Sequence, residues 1–304
     1  MTEPLVSVVT TSYNHERFLE ETIESVLAQD YPRVEYLVVD DGSTDSSSEI
    51  VQRYADRLAW SRIQANAGQA TALNTAFAEA SGEILSFLSS DDTLLPGTVS
   101  RVVGEFGADP GLLVVYGDVW LTDARSERVD YGVSGEWDAA RMARTGYAVH
   151  QPAMFFTRRA WELAGPFNER SWGLFDVEFA LRLVAAGGAR YVREPLATFR
   201  LHAESKQMSR QRTMAEEHLR FAREFYESSE LPASLRRYAR TGRANLYRRA
   251  ALRYYAAGDI GVARRLFLRS LGLSPRGLSR KQAARLVRTL VPAAVVKKLS
   301  LIHI

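Results

Sequence analysis

The amino-acid sequence predicts an α/β protein in which a mostly parallel sheet flanked by helices is followed by an α-helical extension. Over the first two thirds of the chain, short apolar runs alternate with segments of helical periodicity. Such βαβα order is typical of parallel sheets with right-handed crossovers. From about Gln211 onward, helix-forming residues dominate, Arg and Ala above all. We therefore expect an α/β domain at residues 1–205 and a helical extension at 206–304.

The charge of the chain is divided unevenly between these two parts, although the formal net charge is only +3. Residues 1–204 hold 17 Arg or Lys against 30 Asp or Glu, whereas residues 205–304 hold 22 against 6. The first part thus carries −13 and the second +16. A basic region of this kind can bind an anionic membrane surface. Nucleic acid is not expected as a partner, because the body is acidic and no aromatic and basic reading surface is visible.

Cysteine is missing from the sequence, which excludes a disulfide framework and a thiolate metal site. The first apolar run is too short for a signal peptide, and acid rather than base precedes it. No stretch approaches the roughly 20 apolar residues that a membrane-spanning helix requires. We expect a cytoplasmic protein whose basic region allows peripheral attachment to the inner face of the cell membrane.

Six short apolar runs are the expected strands of the α/β domain. Turn or capping residues bound them, and their short length favours strands over helices. The runs occupy residues 5–10, 35–39, 60–64, 84–88, 112–116 and 154–156. The fourth is apolar throughout and ends in Ser-Ser-Asp-Asp, which is typical of a buried strand that delivers polar groups to its carboxyl end.

The segments between these runs have apolar residues at helical spacing. The helix at 18–27 is followed by the stop signal Pro32, and the helix at 96–107 starts at Pro96, as the first turn of a helix permits. Further helices are expected at 47–59, from an opening at 66–74, as a turn at 159–163, and at 176–186. Residues 122–147 are polar and mixed in charge, which predicts an irregular surface excursion.

In the extension, residues 243–257 and 260–271 predict a helical hairpin of tetratricopeptide-like pattern, near 239–275. Gly258 and Asp259 supply the stop and the following cap. Residues 287–304 mix apolar with basic side chains. This pattern indicates a membrane-surface tail at 276–304, or equally a segment that packs on the body or frays.

Three of the expected strands end in residues suited to a nucleotide diphosphate. The ends are Thr11–Asn14, Asp40–Ser43 and Ser90–Asp92. They offer an acid that can accept from a base N–H, small residues that permit close approach, and carboxylates for a metal. A fourth segment, Asn66–Gly68, opens a helix whose free N–H groups favour an anion. Each stretch taken alone is also a common turn or cap.

At these positions the sequence resembles the inverting glycosyltransferases of family 2, which have the GT-A fold. The resemblance covers about residues 5–205, and its segments follow the family's order and spacing. They are 6–14, 35–45, 66–74, 82–92 and 176–183. The first two segments and the Asp-Asp pair are specific in combination and weak alone.

The resemblance implies a nucleotide-sugar donor, a UDP-, GDP- or dTDP-sugar, bound at the strand ends. Thr11 and Asp41 match nucleoside contacts, with Asp41 on the base. Asp91 and Asp92 match contacts to the ribose, the metal and the diphosphate. The predicted donor-binding residues are Thr11, Tyr13, Asp41, Asn66, Gly68, Asp91 and Asp92.

The resemblance also implies a divalent cation, Mg²⁺ or Mn²⁺. Its predicted ligands are Asp91, Asp92 and His202, the last from a region where some GT-A enzymes place a late metal or phosphate ligand. The alternative for His202 is a hydrogen-bonded surface residue. Many members of the family carry a carboxylate two residues before Asp91, where this chain has Ser89. The metal shell here therefore has one acid fewer, or is completed by water and phosphate.

Inverting transfer needs a base that accepts the proton of the attacking hydroxyl, and Asp176 is the candidate. It lies in the first turn of a helix after the aromatic stretch 172–175, and it matches the family's Asp-x-Glu pattern. The alternative is an acid that only stabilises the helix N-terminus. Glu178 is expected to be structural or to face the acceptor, and it can pair with Arg182 one turn on.

The other histidines are assigned to the surface or left open. His15, His218 and His303 are expected at the surface. His150 resembles a family segment on the acceptor side, and a hydrogen-bonded structural role fits it equally well.

Several other enzyme classes lack their motifs here. No Gly-x-Gly-x-x-Gly follows the first strand, no Gly-x-Ser-x-Gly is present, and no lysine precedes Lys206. A nucleotidyltransferase would need a basic Gly-rich segment after the first strand, which Thr11–Asn14 does not provide.

The sequence thus predicts a glycosyltransferase that acts on a glycan or lipid-linked acceptor in cell-surface polysaccharide or glycolipid synthesis. The alternative is a non-catalytic protein of the same fold that binds a sugar nucleotide or serves as a scaffold, and Ser89 is its support.

Overall fold

A computed structural model describes residues 3–147, 149–203, 205, 210–229, 231–275 and 280–290. The chain divides into two compact units. The α/β unit comprises Met1–Asp138 and Ala148–His202, and the helical unit comprises Ala139–Tyr147 and Ala203–Ile304.

The secondary structure begins with the alternation that the sequence predicts. The strands are β1 (Val6–Ser12), β2 (Val34–Asp40), β3 (Trp60–Ile63), β4 (Ile84–Ser89), β5 (Val114–Thr122), β6 (Arg128–Gly132), β7 (Met154–Thr157) and β8 (Ala189–Arg200). The helices are α1 (Glu16–Leu27), α2 (Ser47–Arg53), α3 (Gln69–Glu79), α4 (Thr98–Ala108), α5 (Ala139–Thr145), α6 (Arg158–Ala164), α7 (Phe175–Val184), α8 (Gln211–Glu224), α9 (Ala233–Arg236), α10 (Ala239–Ala256), α11 (Ile260–Leu273) and α12 (Arg280–Leu290).

The eight strands form one sheet in the order β3-β2-β1-β4-β7-β5-β6, with β8 paired to β5. Strands β3, β2, β1 and β4 are parallel neighbours, and β8 is parallel to β5. Strand β7 runs antiparallel to both β4 and β5, and β6 runs antiparallel to β5. The parallel half results from the helical crossovers and brings the carboxyl ends of β1, β2 and β4 to one edge.

Helices cover both faces of this sheet, because its central strands are apolar on both sides. Val8 of β1 packs with α1 residues such as Leu19 in one core, whereas its neighbour Val9 packs with Phe77 of α3 in the other. Adjacent residues of a strand point to opposite faces, so one apolar run supplies both cores. The predicted fold class, a mostly parallel sheet flanked by helices with a helical extension, is confirmed.

The prediction for residues 122–147 was wrong. This stretch contains β6, which pairs with β5 through a hairpin, and the helix α5. Its polar and mixed-charge composition hid both elements, because β6 is an edge strand with mostly exposed residues. Strand β8 was also missed over most of its length, since its first half, Ala-Arg-Tyr-Val-Arg-Glu, has three charged residues and only one buried side chain.

In the helical unit, α10 packs against α5, α8 and α11, and α12 contacts α11. The hairpin predicted near 239–275 is present as α10 and α11. Phe221 of α8, Leu246 of α10 and Phe267 of α11 are among the buried side chains of the helical unit. Within the described part of the chain, no helix is both long and apolar enough to cross a membrane. Most of the predicted tail, residues 276–279 and 291–304, lies outside the described residues.

Candidate active site

The carboxyl ends of three parallel strands lie side by side at one edge of the sheet. Ser12 of β1 stands opposite Asp40 of β2, and Thr11 stands opposite Ser89 of β4. The N–H of Asp41 donates to the Ser12 carbonyl at 2.8 Å, which extends the pairing past the end of β2. The parallel register therefore brings together three segments that are separated by tens of residues in sequence.

Asp41 is 3% exposed, and its carboxylate organises the loop before α3. Its Oδ1 accepts from Gln64 Nε2 at 2.8 Å and from the N–H of Ala67 at 3.0 Å. Its Oδ2 accepts from the N–H of Gly68 at 2.8 Å. Gly68 has φ +91°, a backbone conformation that favours glycine. Asp41 thereby fixes the loop 64–68 against the end of β2.

The turn after Asp41 is equally constrained. Both carboxylate oxygens of Asp40 accept from Ser43, one from its N–H at 2.9 Å and one from its hydroxyl at 2.6 Å. Gly42 has φ +80°, and a Cβ atom there would lie 2.6 Å from the backbone nitrogen of Asn66. Only glycine lets this turn lie so close to Asn66. Asn66 and Gly68, both predicted donor-binding residues, thus lie beside Asp41.

The end of β1 presents polar atoms that have no partner among the described residues. Thr11 Oγ1 and Ser12 Oγ are buried without a hydrogen bond. Tyr13, the next residue, is 45% exposed. Buried hydroxyl groups are almost always hydrogen-bonded in folded proteins, so these two at the carboxyl end of a strand are candidates for a bond to a ligand.

The two acids after β4 have different surroundings. Asp92 is buried, and its Oδ1 accepts from the N–H of Arg200 at 2.8 Å. Burial and the neighbouring charge of Asp91 raise the pKa of Asp92 well above its usual value, against the smaller opposite effect of Arg200. In Asp91, burial acts to raise the pKa, but the hydrogen bond from His202 and the electrostatic influence of His15 and His202 lower it overall.

Strand β8 reaches these acids through a short antiparallel contact with the loop after β4. The N–H of Thr198 donates to the carbonyl of Thr93 at 2.8 Å, and the N–H of Thr93 donates to Thr198 Oγ1 at 3.0 Å. This contact aligns the end of β8 with the Asp91-Asp92 pair. Arg200 and His202 come to the site for this reason.

Arg200 connects the loops of the site, and no motif in the sequence singles it out. Its side chain is 1% exposed, and its Nε donates to the Asp91 carbonyl at 2.7 Å. Its terminal nitrogens donate to Ser126 Oγ at 2.8 Å and Glu21 Oε2 at 2.7 Å. The guanidinium also lies 4.7 Å from the centre of the Phe18 ring. A buried arginine with several acceptors is a positioning group for the loop of Asp91.

Three possible metal ligands meet beside this arginine. His202 Nε2 lies 2.9 Å from Asp91 Oδ2, and one ligand atom each of His15, Asp91 and His202 lie within 4.8 Å of one another. Imidazole nitrogens and a carboxylate oxygen together suit a divalent transition-metal ion. The second ring nitrogen of His202, Nδ1, is buried and has no partner among the described residues. Asp92, the other predicted ligand, is turned toward Arg200 N.

The prediction that His15 is a surface residue was wrong. The side chain is half-buried, and its Nδ1 lies 2.7 Å from Ser90 Oγ. Its ring centre is 5.8 Å from that of His202. The signal was available in the sequence, since His15 directly follows a strand whose carboxyl end was expected at the site. The spacing to His202, by contrast, held no information about their contact.

Asp176 occupies the first turn of α7, as the sequence predicts. The preceding residue, Phe175, packs against Phe87 of β4 with ring centres 6.0 Å apart. The start of α7 therefore lies beside the last residues of β4, the strand that leads to Asp91. Asp176 itself is half-buried.

The neighbours of Asp176 on α7 have structural contacts. Glu178 accepts from Asn168 Nδ2 at 3.2 Å. Arg182 donates to the carbonyls of Ala164 and Pro166, which anchors the loop before α7. Burial lowers the pKa of Arg182, and the charge of Glu178 opposes that effect.

His150 and His218 are not part of the cluster that His15, Asp91 and His202 form. Burial lowers the pKa of His150 to about 4, although Asp118 acts in the opposite direction. His218 is buried in α8, with Nδ1 2.5 Å from the Met214 carbonyl, so the surface prediction for it was wrong. His303 lies outside the described residues.

Helices on both faces of a largely parallel sheet, with acids at the ends of adjacent strands, are the arrangement of the GT-A fold. Comparison with known proteins gives the family. Residues 7–160 match the model described as "Glycosyl transferase family 2". An uncharacterized glycosyltransferase of Nostoc sp. is 30% identical over 216 residues, which is 67% of either chain. This chain belongs to glycosyl transferase family 2.

The chain is also similar to part of a larger enzyme and to two solved structures. Chondroitin synthase of Escherichia coli is 30% identical over 223 residues, 73% of this chain but only 32% of that enzyme. TarS 1–349 of S. aureus in complex with UDP-GlcNAc has a TM-score of 0.60 at 18% identity, over 94% of this chain and 79% of that one. A mannosyltransferase of Pyrobaculum calidifontis in complex with GDP-Man and Mn²⁺ has a TM-score of 0.58 at 22% identity, over 95% and 85%. At these identities the two structures establish the fold alone.

Proposed function

We propose that this protein transfers a sugar from a nucleotide diphosphate sugar to an acceptor hydroxyl, with inversion at the anomeric carbon, in cell-surface polysaccharide or glycolipid synthesis. The observation that carries the proposal is the meeting of Thr11, Asp41 and Asp91 at one edge of the sheet. Ligands of open α/β sheets bind at this edge. The match to chondroitin synthase supports a polysaccharide setting.

The nucleoside would lie across the ends of β1 and β2. A carboxylate offers about four acceptor positions, and Asp41 uses three of them on Gln64, Ala67 and Gly68. The remaining position suits the N–H of a base. Thr11 Oγ1 supplies an unpartnered hydroxyl nearby, and the exposed ring of Tyr13 offers a surface for stacking.

The diphosphate would lie near Asp91, Asp92 and His202. A divalent cation bound there, Mg²⁺ or Mn²⁺, would neutralise the charge that develops on the departing diphosphate. The ligand types present fit such an ion, and the Mn²⁺ bound to the neighbouring mannosyltransferase supports this assignment. The proposed donor is a UDP-, GDP- or dTDP-sugar, and the UDP-GlcNAc and GDP-Man of the neighbouring structures support a nucleotide sugar.

Asp176 acts as the general base in this proposal. The oxygen of an acceptor hydroxyl forms the new bond to the anomeric carbon on the face opposite the diphosphate. The hydroxyl proton passes to the Asp176 carboxylate. The old bond from the anomeric carbon to oxygen breaks, and its electron pair leaves with the nucleoside diphosphate. The acceptor is a glycan or a lipid-linked saccharide.

Ser89 favours a second candidate, a non-catalytic protein that binds a sugar nucleotide or serves as a scaffold. A donor panel separates the two. UDP-, GDP- and dTDP-sugars are incubated with the full chain and Mn²⁺, Mg²⁺ or chelator, and the free nucleoside diphosphate is measured. Transferases normally hydrolyse their donor slowly, so metal-dependent release from one donor is expected. Binding without release would establish the second candidate, and absence of both would overturn the two together.

The basic extension suggests where the enzyme works. We propose peripheral attachment of the extension, residues 206–304, to anionic lipid on the inner face of the cell membrane. Its excess of Arg and Lys over acids supports this proposal. A cytoplasmic catalytic domain at residues 1–205 would then meet a lipid-linked acceptor at that surface.

A further inference from the structure

We propose that His15 is the third protein ligand of the cation, with Asp91 and His202, and that it replaces the carboxylate that family members carry at the position of Ser89. The inference depends on the proposed function only for the purpose that the ion serves. The ion itself would be a divalent transition metal such as Mn²⁺ in preference to Mg²⁺.

The distances within the cluster fit ligands of one ion. Neighbouring ligands about 2.1 Å from an octahedral ion lie about 3.0 Å from each other. His202 Nε2 and Asp91 Oδ2 are 2.9 Å apart, and the three ligand atoms, His15 included, all lie within 4.8 Å.

The position of His15 is fixed by the start of α1. Its N–H donates to Ser47 Oγ at 3.1 Å, and its carbonyl accepts from the N–H groups of Phe18 and Leu19. The ring is held by Ser90 Oγ at 2.7 Å from Nδ1. Metal-binding histidines generally use the second ring nitrogen for such a bond, which fixes ring orientation and tautomer. Ser90 thus plays the part of an orienting partner for His15.

Ser89 explains why a third ligand is needed. Its side chain lies on β4 beside Thr11, and its Oγ lies 3.4 Å from Gln69 Nε2. A neutral hydroxyl is a weak substitute for a carboxylate toward a divalent ion. His15 approaches the same Asp91 from the adjacent strand end, so it can supply the ligand that the serine does not.

A set of two imidazoles and one carboxylate has a chemical consequence. Mg²⁺ prefers oxygen ligands and retains its waters, whereas imidazole suits transition metals. The full chain is therefore expected to bind Mn²⁺ at least about tenfold more tightly than Mg²⁺ in the absence of any sugar nucleotide.

The test uses Mn²⁺ alone with the full chain. Electron paramagnetic resonance gives the affinity for Mn²⁺ from the concentration of the free ion at each step of a titration. Pulsed electron paramagnetic resonance then counts the coordinated nitrogens from their ¹⁴N hyperfine coupling. Two nitrogens are expected in the unaltered protein. His15→Ala should leave one coordinated nitrogen and weaken Mn²⁺ binding at least about tenfold. Even the loss of a group that only orients a metal ligand commonly lowers metal affinity by about 10- to 100-fold.

Two further variants control for folding and for the role of position 89. His150→Ala removes an imidazole of the α/β unit outside the cluster, and should leave both affinity and nitrogen count unchanged. His15→Ala with Ser89→Asp should recover Mn²⁺ affinity with one nitrogen and should narrow the preference over Mg²⁺, because an oxygen ligand replaces the imidazole. Circular dichroism of each variant checks that it is folded.

The outcomes separate this inference from the proposed function. Two nitrogens and unchanged affinity in His15→Ala would overturn the inference, while donor hydrolysis could still be present. Conversely, a His15-dependent Mn²⁺ site in a protein that releases no nucleoside diphosphate would support the ligand set and contradict the transferase.

Discussion

Asp41 and Asp92 in the α/β unit and Arg248 in the helical unit are each 3% exposed, but their surroundings differ. The two acids accept hydrogen bonds from backbone N–H groups in loops at strand ends. The guanidinium of Arg248 has one hydrogen bond among the described residues, to Ser270 Oγ, and burial lowers its pKa. Strand ends leave backbone donors unpaired, whereas the interior of a helix satisfies its own.

The comparison indicates what buried charge does in each unit. In the α/β unit, backbone N–H groups near the strand ends donate to buried carboxylates and so stabilise them. In the helical unit, buried charged groups need other side chains as partners, as Glu217 has in its ion pair with Arg220 at 2.8 Å. We therefore expect changes to the candidate site acids of the α/β unit to alter activity, and charge changes in the helical unit to alter stability alone.

The largest expected effect is on turnover, and it distinguishes a site acid of the α/β unit from a buried acid of the helical unit. Asp176→Asn should lower kcat by about 10²- to 10⁴-fold, because it removes the proposed base, while the Kd of the donor changes little. Glu217→Gln in the helical unit is the matched change, and it should leave kcat intact while lowering the midpoint of thermal unfolding. Steady-state kinetics and calorimetry with the donor measure both. Normal turnover in Asp176→Asn would refute its assignment as base.

The buried arginines Arg200 and Arg248 should differ in how much each stabilises the protein. Arg200→Met should lower the free energy of unfolding by about 3 kcal/mol or more, because it leaves buried carbonyls without donors. Arg248→Met should cost only about 1 kcal/mol, since methionine keeps the apolar stem and removes a poorly solvated charge. Denaturant unfolding, with hydrogen exchange to locate the loss, measures the difference. Equal costs would show that the two units treat buried arginine alike.

Low pH should destabilise both units, because each contains a buried histidine. Burial lowers the pKa of His218 to about 4, with Arg249 and Arg253 acting in the same direction and Met214 and Glu217 in the other. The unfolded chain, with an ordinary pKa near 6.5, then binds more protons between pH 6.5 and 4. Stability is therefore lost as pH falls through this window, by up to about 3 kcal/mol.

The matched variant for acid unfolding is His218→Gln, which removes the titrating group from the helical unit. Its free energy of unfolding should fall less between pH 7 and 4.5 than that of the unaltered protein. His150 in the α/β unit has the same pKa of about 4, so part of the pH dependence should persist. An unchanged slope in His218→Gln would place the acid sensitivity elsewhere.

The smallest expected effect concerns the basic end of the chain. Residues 276–304 contain seven Arg or Lys. Deleting them should weaken binding to vesicles that contain anionic lipid by about tenfold at low salt, and should leave donor hydrolysis unchanged. Flotation with neutral vesicles is the control. Binding that survives the deletion would assign membrane attachment to other residues.

Much of the fold followed from local pattern. The apolar run at 84–88 and the helical spacing at 18–27 predict their elements, because strands and helices impose periods of about 2 and 3.6 residues on the side chains that they bury. The polar residues at the ends of β1, β2 and β4 were also legible, since parallel strands share one carboxyl edge. Strand β6 and helix α5 could not be predicted in this way, because their sequences do not show a regular pattern of apolar side chains.

The sequence by itself determined the α/β class, the polar strand ends Thr11, Asp41 and Asp91, and the basic helical extension. The resemblance to family 2 implied that His202 is a metal ligand together with Asp91, but only the tertiary structure decided that Arg200 and His15 join them. The physical reason is distance along the chain. Short-range periodicity specifies each element, but the contact between Thr93 and Thr198 joins residues about a hundred positions apart, and no spacing in the sequence encodes it.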